Sequence, residues 1–284
     1  MSKMASERLR VGIVGYGGLG RYLTEEVLKR VDEFELAFVW NRSEAAFDDA
    51  SCQLKKEHIL RDLSQFPDRQ ADLIVEVAHP SIVSQWGEAF LKEADFLASS
   101  PTAMADPDTN RRLRDAATMH GLYIPSGAMW GLMDIRKMAD RGTLTGLKIT
   151  MKKHPKSFKL IGNLAEKNAL VTEKETVLYD GPVRDLCPLA PRNVNTMAAA
   201  AIAAHNLGFG EVCGSLVANP SLDCHITQID VYGPRDSSSG EQFHVRTTRS
   251  NPAPIGRLTG SGTYASLLSS MLAARGKGKG VHLC

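Results

Sequence analysis

Several kinds of protein are excluded by what this 284-residue sequence has little of. Its net charge is only +2, with 34 Lys and Arg against 32 Asp and Glu, so no strong field invites nucleic acid or an anionic membrane. The five cysteines, Cys52, Cys187, Cys213, Cys224 and Cys284, are odd in number and never spaced as C-x-x-C. That spacing argues against a disulfide framework and against a zinc knuckle, and it fits a reducing, cytoplasmic compartment with no metal site. No apolar run is long enough to span a bilayer; the most apolar stretch, Met197 to Ala204, is short and alanine-rich. Met1 to Arg10 is polar and runs directly into a strand pattern, so no signal peptide is read there. Repeats and low-complexity segments are missing too. The basic stretch Arg275–Lys279 is short and interleaved with glycine, and reads as a solvated terminus.

What is present is an ordinary globular composition, 43% hydrophobic and 23% charged, at a length that favours two domains. Short apolar runs predict strands at Leu9–Gly15, Glu35–Trp40, Ala71–Ala78, Asp95–Ser99 and Leu122–Ile124, the last of its series. Helices are expected between them at about Gly18–Val31, Ile82–Lys92 and Asp106–His120, the last capped by Asp106 or Asp108. Strand–helix alternation over this length means a doubly wound parallel sheet of the Rossmann kind. After Gly127 the pattern changes. Leu147–Lys153, Asp223–Gly233 and Phe243–Thr248 alternate with period two, and Asn195–Asn206 reads as a long apolar helix. The expected architecture is α/β: a Rossmann domain over residues 1–130 and a second α+β domain with a mixed sheet over 131–254. A helix within Leu258–Ala274 is expected to pack back on the first domain.

The strongest motif is Gly15-Tyr16-Gly17-Gly18-Leu19-Gly20, a G-x-G-x-x-G. Alone it is common, but here a strand precedes it, a helix follows, and a second strand ends about twenty residues on. Gly15 would make the tight turn, Gly17 would admit a pyrophosphate, and Gly20 would let helix and strand approach. Gly18 and Leu19 complete the helix start that would hold the phosphates. The cofactor is therefore NADP or NAD. At the end of the second strand, Asn41 can bond a ribose hydroxyl and Arg42 can pair a 2′-phosphate, so NADP is favoured without excluding NAD. Ala78 and His79, Ser99–Ala103 and Ser126–Ala128 end successive strands at the sheet edge where such folds bind ligands. Among eight histidines, His225 stands out in a period-two segment after Ala218-Asn219-Pro220, with His79, His154 and His244 as rivals for a proton carrier.

The glycine motif, Val75-Glu76-Val77-Ala78, Pro125-Ser126-Gly127-Ala128, Asn193-Val194-Asn195 and Asn219-Pro220 with His225 together resemble the L-aspartate dehydrogenase family. The likeness is greatest to its animal branch of aspartate dehydrogenase domain-containing proteins and covers roughly Arg8 to Ala274. It implies that Ala128 and Asn195 contact the dinucleotide and that His225 is catalytic. It further implies oxidative deamination of a dicarboxylic amino acid, L-aspartate, to iminoaspartate and then oxaloacetate and ammonia, in a homodimer built through the second sheet. Such a substrate needs cations, and Lys152, Lys153 and His154 are the candidates. The chain departs from the family at Asn219, where Asp is usual, at Ile226-Thr227, where an acidic residue follows the histidine, and at Trp130 and Pro101. Those departures keep open a non-catalytic dinucleotide sensor of the same fold. A reductase or dehydrogenase of another small substrate is the other alternative, although the His-His…Lys and Asn-Cys signatures of two such enzymes are missing.

Overall fold

A computed structural model describes residues 8–48 and 54–284. In chain order it contains β1 (Leu9–Val14), α1 (Gly18–Lys29), β2 (Phe34–Trp40), β3 (Ile59–Leu60), β4 (Leu73–Glu76), α2 (Pro80–Glu93), β5 (Asp95–Ala98), α3 (Pro107–Ala116) and β6 (Gly121–Ile124). There follow α4 (Leu132–Asp140), β7 (Gly146–Lys153), α5 (Asn163–Ala169), β8 (Thr176–Pro182), α6 (Val183–Leu186), α7 (Asn195–Ala203), α8 (Gly208–Glu211), β9 (Cys213–Ala218), β10 (Cys224–Arg235), β11 (Gln242–Pro252), α9 (Ser261–Ala273) and β12 (Gly280–Leu283).

The first sheet is wholly parallel, in the order β12-β6-β5-β4-β1-β2-β3. Helices cover both of its faces, which is why β4 and β6 are buried at every residue. Strand order reverses between β1 and β4, so the turns that follow them lie side by side and leave a crevice at the carboxyl edge. Local chemistry sets the helix starts at that edge. Pro80 opens α2, where the His79 Nδ1 accepts from Ser81 N at 3.2 Å. Asp106 caps α3, its Oδ2 accepting from Thr109 N at 2.8 Å.

The second sheet, β11-β10-β7-β9-β8, is mixed: β7 and β9 run parallel and the other neighbours antiparallel. In β7 alternate residues Leu147, Ile149, Met151 and Lys153 are buried, as the period-two pattern requires. Helix α7 is buried all round, apart from Asn195, because small alanines let it be enclosed on every side. Helix α9 returns to the first sheet, where Leu267, Leu268 and Met271 pack with Val11, Ile13, Leu23 and Val75.

Four expectations need correction. Leu122–Ile124 is not the last parallel strand, because β12 pairs with β6 from Gly280↔Gly121 to Leu283↔Ile124. The basic segment before it is exposed, as expected, but it is a connection into a strand and not a free terminus: Lys277 Nζ donates to the Leu283 carbonyl at 3.0 Å and Lys277 N donates to the Tyr123 hydroxyl at 3.3 Å. The helix expected over Asp106–His120 stops at Ala116, and the one expected over Asn195–Asn206 stops at Ala203.

Candidate functional site

The glycine turn is built as its sequence demands. Gly15 has φ +114°, a region side chains avoid, and a Cβ there would lie 2.9 Å from Ala78. A Cβ on Gly20 would lie 1.8 Å from the Gly15 carbonyl oxygen, so helix and strand touch through bare backbone. Gly17 is different. It is the N-cap of α1 with no side-chain cap, and a Cβ on it would meet nothing within 4 Å. The unpaired N–H groups of the helix start therefore open onto free space, as a pyrophosphate requires. Gly18 packs beneath α9, its Cβ position 2.8 Å from the Tyr264 hydroxyl.

A cleft leads from this turn across to the second sheet. It brings together Leu19, Ala78, Ala128, Asn195, Lys153 and His225 from the residues expected above. The Asn195 Oδ1 accepts from the Thr102 hydroxyl at 3.2 Å, which ties α7 to the segment after β5. Other expected residues stand elsewhere. The Asn41 Oδ1 accepts from Tyr16 N at 2.9 Å and its amide donates to the Ser43 carbonyl, so it braces the turn. Arg42 is exposed beside it. His79 is occupied in capping α2; burial, then Arg192 and Arg42, hold its pKa below the usual histidine value.

Of the three cationic candidates, the cleft takes one. Alternation along β7 turns Lys153 inward and Lys152 outward, where Lys152 pairs with Glu175 at 2.9 Å. The His154 Nδ1 accepts from Lys156 N at 3.1 Å, outside the cleft. Lys153 is 4% exposed, its ammonium donates to the Leu258 carbonyl at 3.0 Å, and burial lowers its pKa to about 8. His225 is 8% exposed and its Nε2 has no hydrogen-bond partner. Burial first, then the Lys153 charge, lowers its pKa to about 4, while a hydrogen bond to the Arg257 backbone acts against them. Of the rival histidines, His244 bonds Asp230 at 2.9 Å, away from the cleft.

Some lining residues were not foreseen. Arg192, Asn193, Arg249 and Asn251 also face the cleft, and among the described residues no Asp or Glu lines it. Glu76 lies just behind. Fully buried at the end of β4, it accepts from the backbone N–H of Ala78 (2.7 Å), His79 (2.8 Å) and Ser100 (3.0 Å), and from the Ser100 hydroxyl (3.0 Å). One carboxylate thus fixes the turns after β4 and β5. Burial raises its pKa to about 7 against the lowering effect of those hydrogen bonds. A polar residue closing an otherwise apolar strand was the only sequence signal for it. Arg192 and Arg249 gave none, since their placement depends on pairings between distant segments.

A parallel sheet with a glycine-turn helix start at its switch point, joined across a cleft to a mixed sheet, defines a dinucleotide-binding protein with the architecture of the two-domain dehydrogenases. Comparison with known proteins agrees. Residues 15–125 match the model of the homoserine dehydrogenase NAD-binding domain, and residues 134–270 match that of the aspartate dehydrogenase C-terminal domain. The chain is 51% identical to an aspartate dehydrogenase domain-containing protein of Xenopus tropicalis, over 98% of both chains. It is 29% identical to an L-aspartate dehydrogenase of Methanococcoides burtonii, over 93% of this chain and 94% of that one. The fold is similar to that of the aspartate dehydrogenase from Thermotoga maritima, with a TM-score of 0.67 at 22% identity, covering 95% and 98% of the two chains. The chain belongs to the aspartate dehydrogenase family, and its first domain is an NAD(P)-binding domain. Among the described residues no helix is long and apolar enough to cross a membrane.

Proposed function

We propose that this protein catalyses the reversible NAD(P)-dependent oxidative deamination of L-aspartate, with His225 as proton carrier and Lys153 as a carboxylate partner. The observation that carries this reading is the buried, unpartnered His225 Nε2 beside Lys153, in a cleft lined among the described residues by cationic and no acidic side chains. The glycine turn, Ala78, Ala128 and Asn195 would hold the dinucleotide, with Arg42 at the adenosine end. When bound, the oxidised nicotinamide supplies the acceptor for the hydride leaving Cα.

The chain's own residues account for the rest. Lowered to about 4, the His225 pKa leaves Nε2 neutral at pH 7 and able to take a proton from the substrate amine. The negative charge of a bound dicarboxylate raises that pKa and so helps the ring keep the proton. The ring then gives that proton up to solvent; once the C=N bond has formed, Nε2 takes a proton from the water that adds to it and returns it to the nitrogen, which leaves as ammonia while the hydroxyl loses its proton and the carbonyl forms. The Lys153 ammonium, released from the Leu258 carbonyl, pairs with a substrate carboxylate and orients Cα.

Three further readings go with this one. The chain divides near residue 130, with residues 255–275 returning to the first domain. It forms a homodimer through the outer face of the second sheet, which carries the Lys148–Asp180 and Arg246–Asp230 ion pairs. It works in the cytosol; the free thiols of Cys187, Cys213, Cys224 and Cys284 support a reducing compartment, while Cys52 lies outside the described residues.

Initial rates with aspartate and each cofactor, and with oxaloacetate, ammonia and each reduced cofactor, test the activity. Aspartate-dependent reduction of NADP or NAD is expected. Tight cofactor binding with no such rate would select the sensor instead.

A further inference from the structure

The register of the second sheet lays out the cleft floor in two rows. Thr227 pairs with Met151 on one side and with Arg249 on the other. The next row is Lys153, His225 and Asn251: Asn251 pairs with His225, and Lys153 stands one rung beyond the Lys152–Ile226 pair. Lys153 and Arg249 therefore occupy diagonal corners of one surface, with His225 between them. Adjacent strands lie about 4.8 Å apart, so the two backbones are separated by roughly 10 Å. Two long side chains leaning inward from there can grip the two ends of a four-carbon chain.

Arg249 has unusual surroundings. Its guanidinium packs on the first turn of α9, where a Cβ on Gly262 would lie 2.7 Å from Nη2. Gly260 is the helix N-cap and has no side chain, but the Asn251 Oδ1 accepts from Gly262 N at 3.3 Å in the first turn, and a Cβ on Gly260 would lie 2.1 Å from the Asn251 amide nitrogen. Two glycines thus make room for Arg249 and Asn251 against the positive end of a 13-residue helix. A cation at a helix N-terminus is repelled unless an anion lies between them. Among the described residues Arg249 forms no ion pair, and no carboxylate lines the cleft to fill that role.

We infer that Arg249 is the specificity determinant that takes the second carboxylate of a dicarboxylic substrate, the first being held by Lys153. The buried, unpartnered His225 Nε2 in the same cleft independently points to a ligand between these two cations. The inference rests on the reading of the cleft as an amino-acid site, but its test does not need turnover.

Succinate and butyrate serve as probes, one a dicarboxylate and the other its monocarboxylate counterpart, titrated by calorimetry into the full chain saturated with NADPH. The wild type should prefer succinate. Arg249→Leu should weaken succinate about ten- to a hundredfold, the worth of one charge-assisted contact, and leave butyrate and NADPH affinity unchanged. Arg249→Lys should restore part of the loss. Gly262→Ala, which pushes the guanidinium aside and leaves its charge in place, should also weaken succinate. Equal loss of succinate and butyrate, or unchanged succinate binding in Arg249→Leu, would overturn the inference. A wild type that prefers succinate but does not oxidise aspartate would defeat the proposed activity and leave this assignment standing.

Discussion

Lys153 and His225 face each other one rung beyond the Lys152–Ile226 pair, both buried, and the charge of Lys153 helps to keep the His225 ring neutral. The lysine should show itself in the pH profile. With its pKa lowered to about 8, it loses its charge as pH rises through that value, and kcat/KM for aspartate should fall there. Lys153→Arg, charged throughout, should lack that limb. Lys153→Met should lower kcat/KM by about 10–100-fold, since a buried charged contact is lost. Yet it should melt no lower than wild type, because a buried ammonium with one hydrogen bond costs stability. A mutant that loses stability and cofactor affinity together would make Lys153 a structural residue only.

Two glycines of one motif should fail differently. Gly17→Val places a side chain in the open space before α1, so NADPH affinity should fall by about a hundredfold or more with the melting temperature nearly unchanged. Gly20→Val drives a side chain into the Gly15 carbonyl and should cost several kcal/mol of stability. Fluorescence titration with NADPH and thermal melts on both variants separate the two effects. Unchanged affinity in a folded Gly17→Val protein would remove the turn from the cofactor site.

Arg42 should set cofactor choice. Arg42→Ala should weaken NADP about ten- to a hundredfold, by loss of a charge-assisted phosphate contact, and NAD hardly at all. Equal losses for both would place Arg42 outside the adenosine pocket.

Glu76 should be a structural residue with a functional echo. Glu76→Ala leaves three backbone N–H groups without their acceptor, at about 1–3 kcal/mol each, and should lower unfolding free energy by about 3 kcal/mol or more. The sign of its pH effect is fixed by its raised pKa. The stability it adds is complete below 4.5, the value in the unfolded chain, and is lost as pH rises through about 7. Urea unfolding of wild type and Glu76→Gln between pH 5 and 8 should show that slope in the wild type alone.

Legibility in the sequence followed the range of the interactions. The turn Gly15–Gly20 and the alternation of β7 are local, and both could be read from spacing. The same alternation could have separated Lys153 from Lys152 and His154, because Met151 and Ile149 mark the inward face. Strand β12 was hidden because glycine and lysine lead into it, and only its place beside β6 makes Val281 and Leu283 a strand. Arg249 and Asn251 needed the β10–β11 register, which no local pattern states. Cofactor-binding chemistry therefore stood out early, while the side chains around the proposed substrate site emerged only from tertiary pairing.

His225 separates enzyme from sensor. If its Nε2 carries the protons of amine oxidation and imine hydrolysis, His225→Ala should lower kcat by about 10²–10⁴-fold. Cofactor affinity should stay the same, because the residue lies on the second sheet, away from the glycine turn. The sequence alone suggests a rate limb near the ordinary histidine value. In the structure, burial and Lys153 lower the pKa to about 4, so the acid limb of kcat/KM should lie well below 6.5 and vanish in the mutant. Stability should respond in the matching direction. A histidine kept neutral in the fold contributes stability above its unfolded value of 6.5, and that contribution is lost as pH falls towards and through about 4. His225→Ala should therefore be less sensitive to acid over that window than wild type. Melting temperature, cofactor affinity and kcat measured on one preparation decide the role. A folded mutant with normal cofactor binding and undiminished turnover would place the proton carrier elsewhere in the cleft.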